Sequence, residues 1–467
     1  MTSGEKGPIF QWSSETDRNV NYSMSLDEKA PADGGGYKVP PEVTFSKSER
    51  ISLEQFRNQL ALNPGNTADQ SLIKNDADWA AARDAAAKAG IAITLVLSDG
   101  EMDTDGIDPV YQFTDPDDQD TNYSVTFDSQ VPVGERNAEG QFTQFTTVAT
   151  WNVQTRVSID EVRSYIEKGS GAEEWILDEN KRKDALIALE SGTAFYRSQS
   201  GTSLQYQWTS RVDPNTSYSL KVDVPWHEST FNTSTRISHE AAQQALTDLT
   251  SEYDQRRVEI QAEIDALPAD DPDRVKLSQD LEDLRATYEQ DKALLVAALA
   301  DGKIFYRSQS GSDEISYSWA SNTNRNINYS VNVKLNVPLS ETVSNGIEAN
   351  FTASERVSLA EMLSNGVLGK ITDPLKRNQA EQAIRNAYED GGFFYRSVTG
   401  TKDPVFQWTN PENPDESFSI TLNAKVPDGL DVPPTEFTTE TIFTHTVRVA
   451  RAEVLAQWNI LKADYQA

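Results

Sequence analysis

Five stretches of this chain carry the same pair of aromatic landmarks at one fixed spacing. The first landmark is a triplet in which an aromatic residue, a Gln or Ser, and a second aromatic residue follow one another. The triplets end at Trp12, Phe113, Trp208, Trp319 and Trp408. Ten residues beyond each of these positions lies a Tyr or Phe that is followed by Ser. Chance does not repeat that spacing five times, so the sequence predicts five tandem copies of one structural unit.

A basic residue also recurs at one place in every copy. A Val-Pro pair follows the second landmark, and farther on an aromatic side chain stands five residues before an arginine. The five arginines are Arg50, Arg156, Arg236, Arg356 and Arg448. Ile or Val comes directly after each arginine, and Ser comes next in four copies. These matches extend the repeat well beyond the aromatic landmarks.

Apolar residues within a copy alternate with polar residues, as they do in strands. Between residues 329 and 337 every second residue is apolar, which is typical of an antiparallel strand with one buried face. The ten-residue spacing suits a hairpin with a polar turn, such as residues 213–215. Proline cannot donate to a neighbouring strand, so the Val-Pro pair is expected to end the second element. Alternation also places each recurrent arginine on the face opposite the aromatic side chains.

A pair of helices is predicted after the arginine of each copy. The serine two residues after the arginine fits an N-cap, and Glu161 and Glu361 complete capping boxes with Ser158 and Ser358. The second helix of four copies ends at a glycine, where we expect the left-handed conformation. These glycines are Gly90, Gly192, Gly302 and Gly391. In three copies a Phe-Tyr-Arg-Ser run follows and predicts a first strand, so the unit is expected to be β-β-β-β-α-α.

The fold class expected from this pattern is an α+β tandem repeat. Each of the five units is expected to be a small antiparallel sheet of three or four strands plus a helix pair. The units are expected to span residues 1–90, 91–192, 193–302, 303–391 and 392–467. The first is expected to lack its first strand, and the last to have a truncated helix pair. In residues 239–300 apolar positions are spaced alternately by three and four, which predicts a long antiparallel coiled-coil hairpin.

Composition narrows the chemistry that the chain can carry. No cysteine is present, which excludes disulfides, thiolate metal sites and cysteine nucleophiles. The formal net charge is -31 at pH 7, and so acidic a surface disfavours binding to nucleic acid or to anionic membranes. The first residues are polar, so no cleaved N-terminal signal is expected. No apolar stretch approaches the roughly 18 residues that a membrane-spanning helix needs.

Candidate catalytic and metal-binding residues are sparse. The three histidines, His227, His239 and His445, are not clustered in the sequence, and His239 misses the zinc-protease pattern because a glutamine replaces the second histidine. An acidic stretch resembles a calcium loop but lacks the glutamate that an EF-hand requires at its last position. Its weak calcium candidates are Asp99, Asp103, Asp105 and Asp108. An acidic, solvated hairpin loop is the preferred interpretation, and no other cofactor is expected.

The recurrent aromatic and arginine positions are interpreted as structural. Catalytic groups are needed once, whereas folding requirements repeat with every copy. The aromatic side chains are expected to fill the core of their own unit. Each arginine is expected to cover an aromatic ring of its own unit or to pair with a carboxylate at a helix start.

These observations favour a non-enzymatic structural or assembly protein, as a subunit of a filament, an appendage, or a phage or virus particle. The vacant edge expected in the first copy would accept a strand from a neighbouring chain. Expected partners are copies of the chain itself or other structural proteins of the same particle. The expected location is a virion or an extracellular surface, with the cytoplasm left open. The alternative is a surface adhesin or carbohydrate-binding array, in which tandem copies add avidity, and an enzyme comes third.

Overall fold

The strands of the computed structural model form one continuous antiparallel sheet. The structure describes residues 2–3, 6–89, 93–98, 108–167, 175–176, 178–200, 203–224, 228–310, 314–337, 346–400, 402–427, 437–449 and 458. Within these residues the sheet has twenty strands. They are β1 Thr2–Ser3, β2 Pro8–Ser13, β3 Val20–Asp27, β4 Glu42–Ile51, β5 Ile93–Ser98, β6 Val110–Thr114, β7 Thr121–Arg136, β8 Phe142–Arg156, β9 Gly192–Ser200, β10 Ser203–Ser210, β11 Thr216–Asp223, β12 Glu228–Ile237, β13 Gly302–Ser310, β14 Glu314–Ser321, β15 Ile327–Val337, β16 Gly346–Val357, β17 Phe394–Thr399, β18 Val405–Thr409, β19 Glu416–Pro427 and β20 Phe437–Val447.

Each strand pairs with the strand that follows it in the sequence, so the sheet is a meander that crosses the repeat boundaries. Although helical segments separate them in sequence, β4 pairs with β5, β8 with β9, β12 with β13, and β16 with β17. At the first of these junctions Arg50 lies opposite Thr94. The edge of each fourth strand has unpaired backbone groups, and the returning chain satisfies them. The prediction of five separate small sheets was therefore wrong.

The helices lie in the segments between successive groups of four strands. In the described residues they are α1 Leu53–Gln59, α2 Asp76–Lys88, α3 Ile159–Ile166, α4 Glu179–Glu190, α5 His239–Ala242, α6 Gln244–Ala266, α7 Pro272–Asp301, α8 Leu359–Met362 and α9 Pro374–Glu389. Serine N-caps are confirmed at α1, α3, α5 and α8, where the side chain accepts a backbone N–H three residues on. The Glu161 carboxylate bonds Arg197 at 2.8 Å, so its contact differs from the predicted capping box.

Each helix segment packs its buried face on the four strands that follow it, not on the four that directly precede it. Phe56 of α1 and Ala82 of α2 are fully buried with Phe113 and Trp151, which belong to β6 and β8 of the second repeat. In the same way α3 and α4 cover β9–β12, α5 to α7 cover β13–β16, and α8 and α9 cover β17–β20. The packing unit is therefore α-α-β-β-β-β. The predicted order β-β-β-β-α-α was wrong because it grouped each helix pair with the strands before it.

The strands of the first repeat have no helix packed on their aromatic face within the described residues. Trp12 is 44 % exposed there, whereas Trp208 is 2 % exposed and Trp319 is 3 % exposed. The rings of Trp12, Tyr22 and Phe45 nevertheless stack, with centroids 5.7 to 6.2 Å apart. The strands alone thus form the aromatic stack, and the helices complete its burial.

Two of the predicted helix-ending glycines serve close packing instead of a left-handed turn. A Cβ on Gly192 would lie 2.3 Å from the ring of Trp208, and one on Gly302 would lie 2.6 Å from the ring of Trp319. These two tryptophans donate their ring N–H to helix carbonyls, at 3.0 Å to Ala188 and at 2.8 Å to Ala298. Gly391 does adopt the left-handed conformation, with φ +82, and Gly90 lies outside the described residues.

The long helical hairpin of the third repeat is formed by α6 and α7, and its base lies on the sheet. Leu249 and Leu295 are buried in one cluster with Trp319 and Phe351 of the fourth repeat. Farther out, Tyr253 stacks on Tyr288 with centroids 4.1 Å apart. The apolar side chains of α7 therefore divide between the neighbouring helix and the sheet. The coiled-coil prediction was wrong because it read two kinds of contact as one helix–helix seam.

The first repeat does have a short first strand. Thr2 lies opposite Ile9, and Ser3 lies opposite Pro8, so β1 occupies the edge that was expected to be vacant. The vacant edge was one of the observations behind the interpretation as a filament or virion subunit, and the fold gives that interpretation no support. The Val-Pro pair of the second repeat also departs from prediction, because Pro132 lies inside β7, opposite Phe145 of β8.

The sheet coils so that repeats two places apart along the chain contact each other. Asn215, just before β11, donates to the carbonyl of Lys29, just after β3, at 2.7 Å. Asn326, just before β15, donates to the carbonyl of Gln130 in β7 at 2.9 Å. Both contacts join strands that are eight places apart in the meander (11 − 3 and 15 − 7). One turn therefore takes eight strands, or two repeats.

Candidate functional site

The five recurrent arginines occupy one backbone position, at the end of the fourth strand of each repeat. In every repeat the arginine N–H donates to the carbonyl of a residue just before the third strand, at 2.8 to 2.9 Å. The acceptors are Asn19, Asp120, Asn215, Asn326 and Asp415. This shared geometry presents all five guanidinium groups from equivalent places. Each side chain lies opposite the aromatic face, as the strand alternation predicted.

In the last three repeats the arginine reaches a carboxylate two repeats earlier. Arg236 pairs with Asp27 at 3.0 Å and with Glu42. Arg356 pairs with Asp128, and its guanidinium also lies 4.4 Å from the ring centroid of Phe393. These partners differ from those expected, since they lie neither in the same unit nor at a helix start.

The last repeat makes the same contact. Arg448 pairs with Asp223 at 2.7 Å and with Glu228. Asp223 and Glu228 lie opposite each other on β11 and β12, as Asp27 and Glu42 do on β3 and β4. The Arg236 and Arg448 guanidinium groups therefore each bind the paired carboxylates of one strand turn. We call the three contacts of Arg236, Arg356 and Arg448 the arginine ladder.

The environment of the arginine ladder lowers the pKa of two of its carboxylates, Asp128 and Glu42. Burial raises the pKa of Asp128. Hydrogen bonds from Arg356 and from the Gln130 N–H lower it by more, so the net pKa lies below its usual value. Glu42 behaves alike, because hydrogen bonds from Lys38 and Arg236 outweigh the effect of burial and lower its pKa. A hydrogen bond to Asp223 raises the pKa of Arg448. These ion pairs therefore form across the ordinary pH range.

Additional ion pairs join the second and fourth repeats beside the ladder. Arg136 makes a bidentate contact with Glu355, at 2.8 and 3.1 Å, and its Nε donates to Glu361 at 2.7 Å. The Ser358 hydroxyl donates to the carbonyl of Gly134 at 2.5 Å. Glu361 was predicted to complete a capping box, yet its side chain bonds Arg136 across the turn. Contacts across one turn of the coil thus include arginine–carboxylate pairs, amide-to-carbonyl hydrogen bonds and a hydroxyl-to-carbonyl hydrogen bond.

The acceptor aspartates were missed in the sequence, although a signal was present. Counting fifteen residues from the end of each aromatic triplet (12 + 15, 113 + 15, 208 + 15) gives Asp27, Asp128 and Asp223. The same count in the last two repeats (319 + 15, 408 + 15) gives Lys334 and Asn423. Aspartate thus stands only in those repeats that have a repeat two places farther along the chain. Comparing repeats with one another, position by position, would have found it.

Two arginines of the set have no such contact. Arg50 and Arg156 are exposed, and neither forms an ion pair with another described residue. They lie in the first two repeats, where no repeat two places earlier is present in this chain. At the opposite end, Lys334 lies 3.9 Å from Glu348, and the Asn423 amide donates to Asp403 at 3.0 Å. Lys334 and Asn423 therefore make contacts within their own repeats.

The structure describes only one of the four calcium candidates. Asp99, Asp103 and Asp105 lie outside the described residues. Asp108 accepts the Ser129 N–H at 2.9 Å and pairs with Arg325 of the fourth repeat. No group of three or more His, Asp or Glu side chains in the described part of the chain has the arrangement of a metal site.

The two described histidines, His239 and His445, lie in different repeats. His239 is the first residue of α5, and its ring meets Phe305 edge-on at 5.4 Å. His445 stacks on Phe418 with centroids 4.6 Å apart, and His227 lies outside the described residues. The two described rings therefore pack against aromatic side chains of the sheet.

No protein-family model matches this chain, and no curated protein matches it in sequence. Among the described helices, none combines the length and apolar character needed to cross a membrane.

Proposed function

We propose that this chain is a non-enzymatic structural protein, a coiled-sheet rod that holds other structural proteins, or copies of itself, in a larger assembly. The observation that supports the proposal is the arginine ladder, in which one contact recurs three times between alternate repeats. A group needed for chemistry is required once, whereas a contact that stiffens a rod is required at every turn. Arg50 and Arg156 occupy the equivalent backbone positions in the first two repeats.

The polar groups of the ladder are oriented toward one another rather than toward a cleft. Arg236 is 11 % exposed at its side chain, and its carboxylate partners are 17 % and 31 % exposed. Partly buried ion pairs with several hydrogen bonds fix relative orientation more than they add free energy. The ladder is therefore suited to fixing the pitch of the coil.

The test is to find the protein in its native setting. Immunogold labelling and quantitative mass spectrometry of native material are expected to place it in an assembly, at a fixed copy ratio to that assembly's other proteins. The expected partners exclude nucleic acid and membrane lipids. A dilute, unassembled pool in every fraction would contradict the structural role.

A second candidate is a carbohydrate-binding array, and one groove favours it. A cavity of about 460 Å³ lies along the fourth repeat on the face opposite the helices, lined by Asn232, Ser316, Asn332, Asn350 and Thr399. Amide and hydroxyl side chains of this kind can bond sugar hydroxyls. Glycan-array binding that is lost in Asn332→Ala would favour this candidate, and uniform lack of binding would exclude it.

A further inference from the structure

The polar face of the sheet, opposite the helices, is the concave face of the coil. The cavity of about 460 Å³ in the fourth repeat is lined by residues of six consecutive strands, from Asn232 of β12 to Thr399 of β17. Neighbouring strands lie about 4.8 Å apart, so six strands of a flat sheet would span about 24 Å. One cavity of this volume reaches all six strands because the sheet curves around it.

A second cavity adjoins the first along β16 and β17. It has a volume of about 850 Å³ and is lined by residues of β16 to β20, with Ser354 and Ser397 among them. Thr352 and Thr399 of the first cavity lie two residues away on the same two strands. The hydroxyl groups are hydrogen-bonded across the strands, at 3.1 Å for the serines and 3.0 Å for the threonines. We call the two adjoining cavities, which residues of β12–β20 line, the inner channel.

The lining of the inner channel is almost uncharged, in a chain with a formal net charge of -31. None of the described residues that line the larger cavity is charged. In the smaller cavity the charged residues are Glu314 and Lys334, which lie opposite each other on β14 and β15. An anionic polymer needs several cations to bind, and Lys334 already lies 3.9 Å from Glu348. The ligand that fits this channel is therefore uncharged.

The side chains of the channel suit a ligand that is rich in hydroxyl groups. The amide of Asn332 and the hydroxyl of Ser316 can each donate and accept hydrogen bonds. Sugar hydroxyls do the same, whereas an apolar ligand would leave these groups unpaired. In the larger cavity Tyr395 lies opposite Gln407, and its aromatic ring offers a surface for the C–H groups of a sugar ring.

An extended peptide is a poorer occupant than a sugar chain. Peptides that bind to sheets add a strand at a free edge, where their backbone groups find partners. Each strand from β13 to β19 is already paired on both sides. The channel wall thus offers side chains to a ligand, and its backbone groups are used within the sheet.

We propose that the inner channel binds one unbranched, uncharged polysaccharide chain, in a single site that the third, fourth and fifth repeats build together. The proposal rests on the second candidate function and changes it, because an array of separate sites would bind several chains. A cavity of about 300–1,000 Å³ accommodates one small molecule. Two adjoining cavities of that size suit several sugar units in a row.

The experiment measures which chains bind, how many bind and how long they must be. A glycan array of neutral and acidic unbranched chains identifies the ligand, and only neutral chains are expected to bind. Isothermal titration calorimetry of the full chain then uses neutral oligosaccharides of rising length. We expect one bound chain per protein and an affinity that rises at least about tenfold from the disaccharide to the length that fills the channel.

Two variants block the channel at different repeats. Asn332→Trp fills the smaller cavity and Gln407→Trp fills the larger one, and both positions are exposed. Each is expected to weaken binding of the long oligosaccharide at least about tenfold, because both obstruct the same bound chain. Asn378→Trp, at an exposed position on α9, is the matched control and is expected to leave binding unchanged. If a tryptophan variant fails to fold, Asn332→Ala or Gln407→Ala should give a smaller loss in the same direction.

Several chains bound per protein, or a loss caused by only one of the two blocking variants, would overturn the single channel and keep the array of separate sites. Binding of acidic chains alone would overturn the uncharged ligand. Absence of all glycan binding would overturn the channel together with the second candidate function. The structural role is judged separately, by the copy ratio in the native assembly, which none of these results changes.

Discussion

The first and third repeats carry nearly the same strand pattern but differ in what lies over it. Trp208 of the third repeat is 2 % exposed because α3 and α4, which come before it in sequence, cover its sheet. Trp12 occupies the same position in the first repeat and is 44 % exposed. The aromatic stack is thus a property of four neighbouring strands, whereas burial is supplied by the preceding copy. Repeats two to five are each stabilised by helices that the sequence pattern assigns to the preceding repeat.

The largest expected difference is between the two tryptophans. Trp208→Ala should lower the unfolding free energy of β9–β12 by about 3–5 kcal/mol, because it removes a buried ring and leaves a cavity. Trp12→Ala should cost less than about 1 kcal/mol in β2–β4, since the ring is already half in solvent. Hydrogen exchange read strand by strand measures both, which matters because repeat arrays need not unfold in one step. Equal losses would refute the comparison.

The next effect tests which repeat each helix stabilises. Phe56 lies 5.4 Å from the Tyr111 ring and 5.5 Å from the Phe113 ring, both in the second repeat. Phe56→Ala should cost about 3 kcal/mol and should lower amide protection in β5–β8 while sparing β2–β4. Ile187→Ala, at an exposed position of α4, is the control and should change neither. Loss of amide protection confined to β2–β4 would instead support the predicted grouping of α1 with the strands before it.

A smaller effect is expected from breaking the ladder. Asp128→Asn should destabilise the protein by about 1–2 kcal/mol at neutral pH, because Arg356 loses its charged partner. The pKa of Asp128 is lower in the folded state, so its contribution is present above the unfolded pKa of about 3.9 and is lost as pH falls through the folded pKa. The gap between variant and wild type in urea midpoints should therefore close in acid. Asp84→Asn, at an exposed position, should show no such gap.

The smallest expected change in stability is that of Arg50→Gln, and Arg236→Gln provides the comparison with an arginine that forms ion pairs. Arg50→Gln should change stability by less than about 0.5 kcal/mol, since the side chain is exposed and forms no ion pair with a described residue. Arg236→Gln should cost about 1–2 kcal/mol, because it removes the guanidinium that Asp27 and Glu42 share. Chemical denaturation of both variants gives the two values. Equal costs would show that the first turn has an internal partner for Arg50.

The local parts of the fold were accessible to sequence reasoning. The alternation around Tyr329 correctly placed β15, and serines such as Ser52 were correctly expected as N-caps. These signals work because strand period and cap geometry depend on residues a few positions apart. The opposite orientation of Arg356 and the aromatic side chains followed from the same period.

The candidate site was predictable in its residues but not in its partners. Arg236, Arg356 and Arg448 were singled out from their recurrence, yet their carboxylates lie about 200 residues earlier in the chain, for example at Asp27 for Arg236. No local spacing encodes a contact between turns of a coil. The substitution of aspartate by Lys334 and Asn423 carried the information, and its meaning depends on knowing that alternate repeats touch.

The sequence by itself determined that one aromatic and arginine pattern recurs five times, where most of the strands lie, and which side chains face the aromatic stack. The tertiary structure alone decided that the copies share one sheet, that each helix pair covers the following strands, and that one turn takes two repeats. The physical reason is that periodicity specifies which face of an element is buried. The choice of covering element, and the end-to-end contact of Arg448 with Asp223, follow from the twist accumulated over many strands.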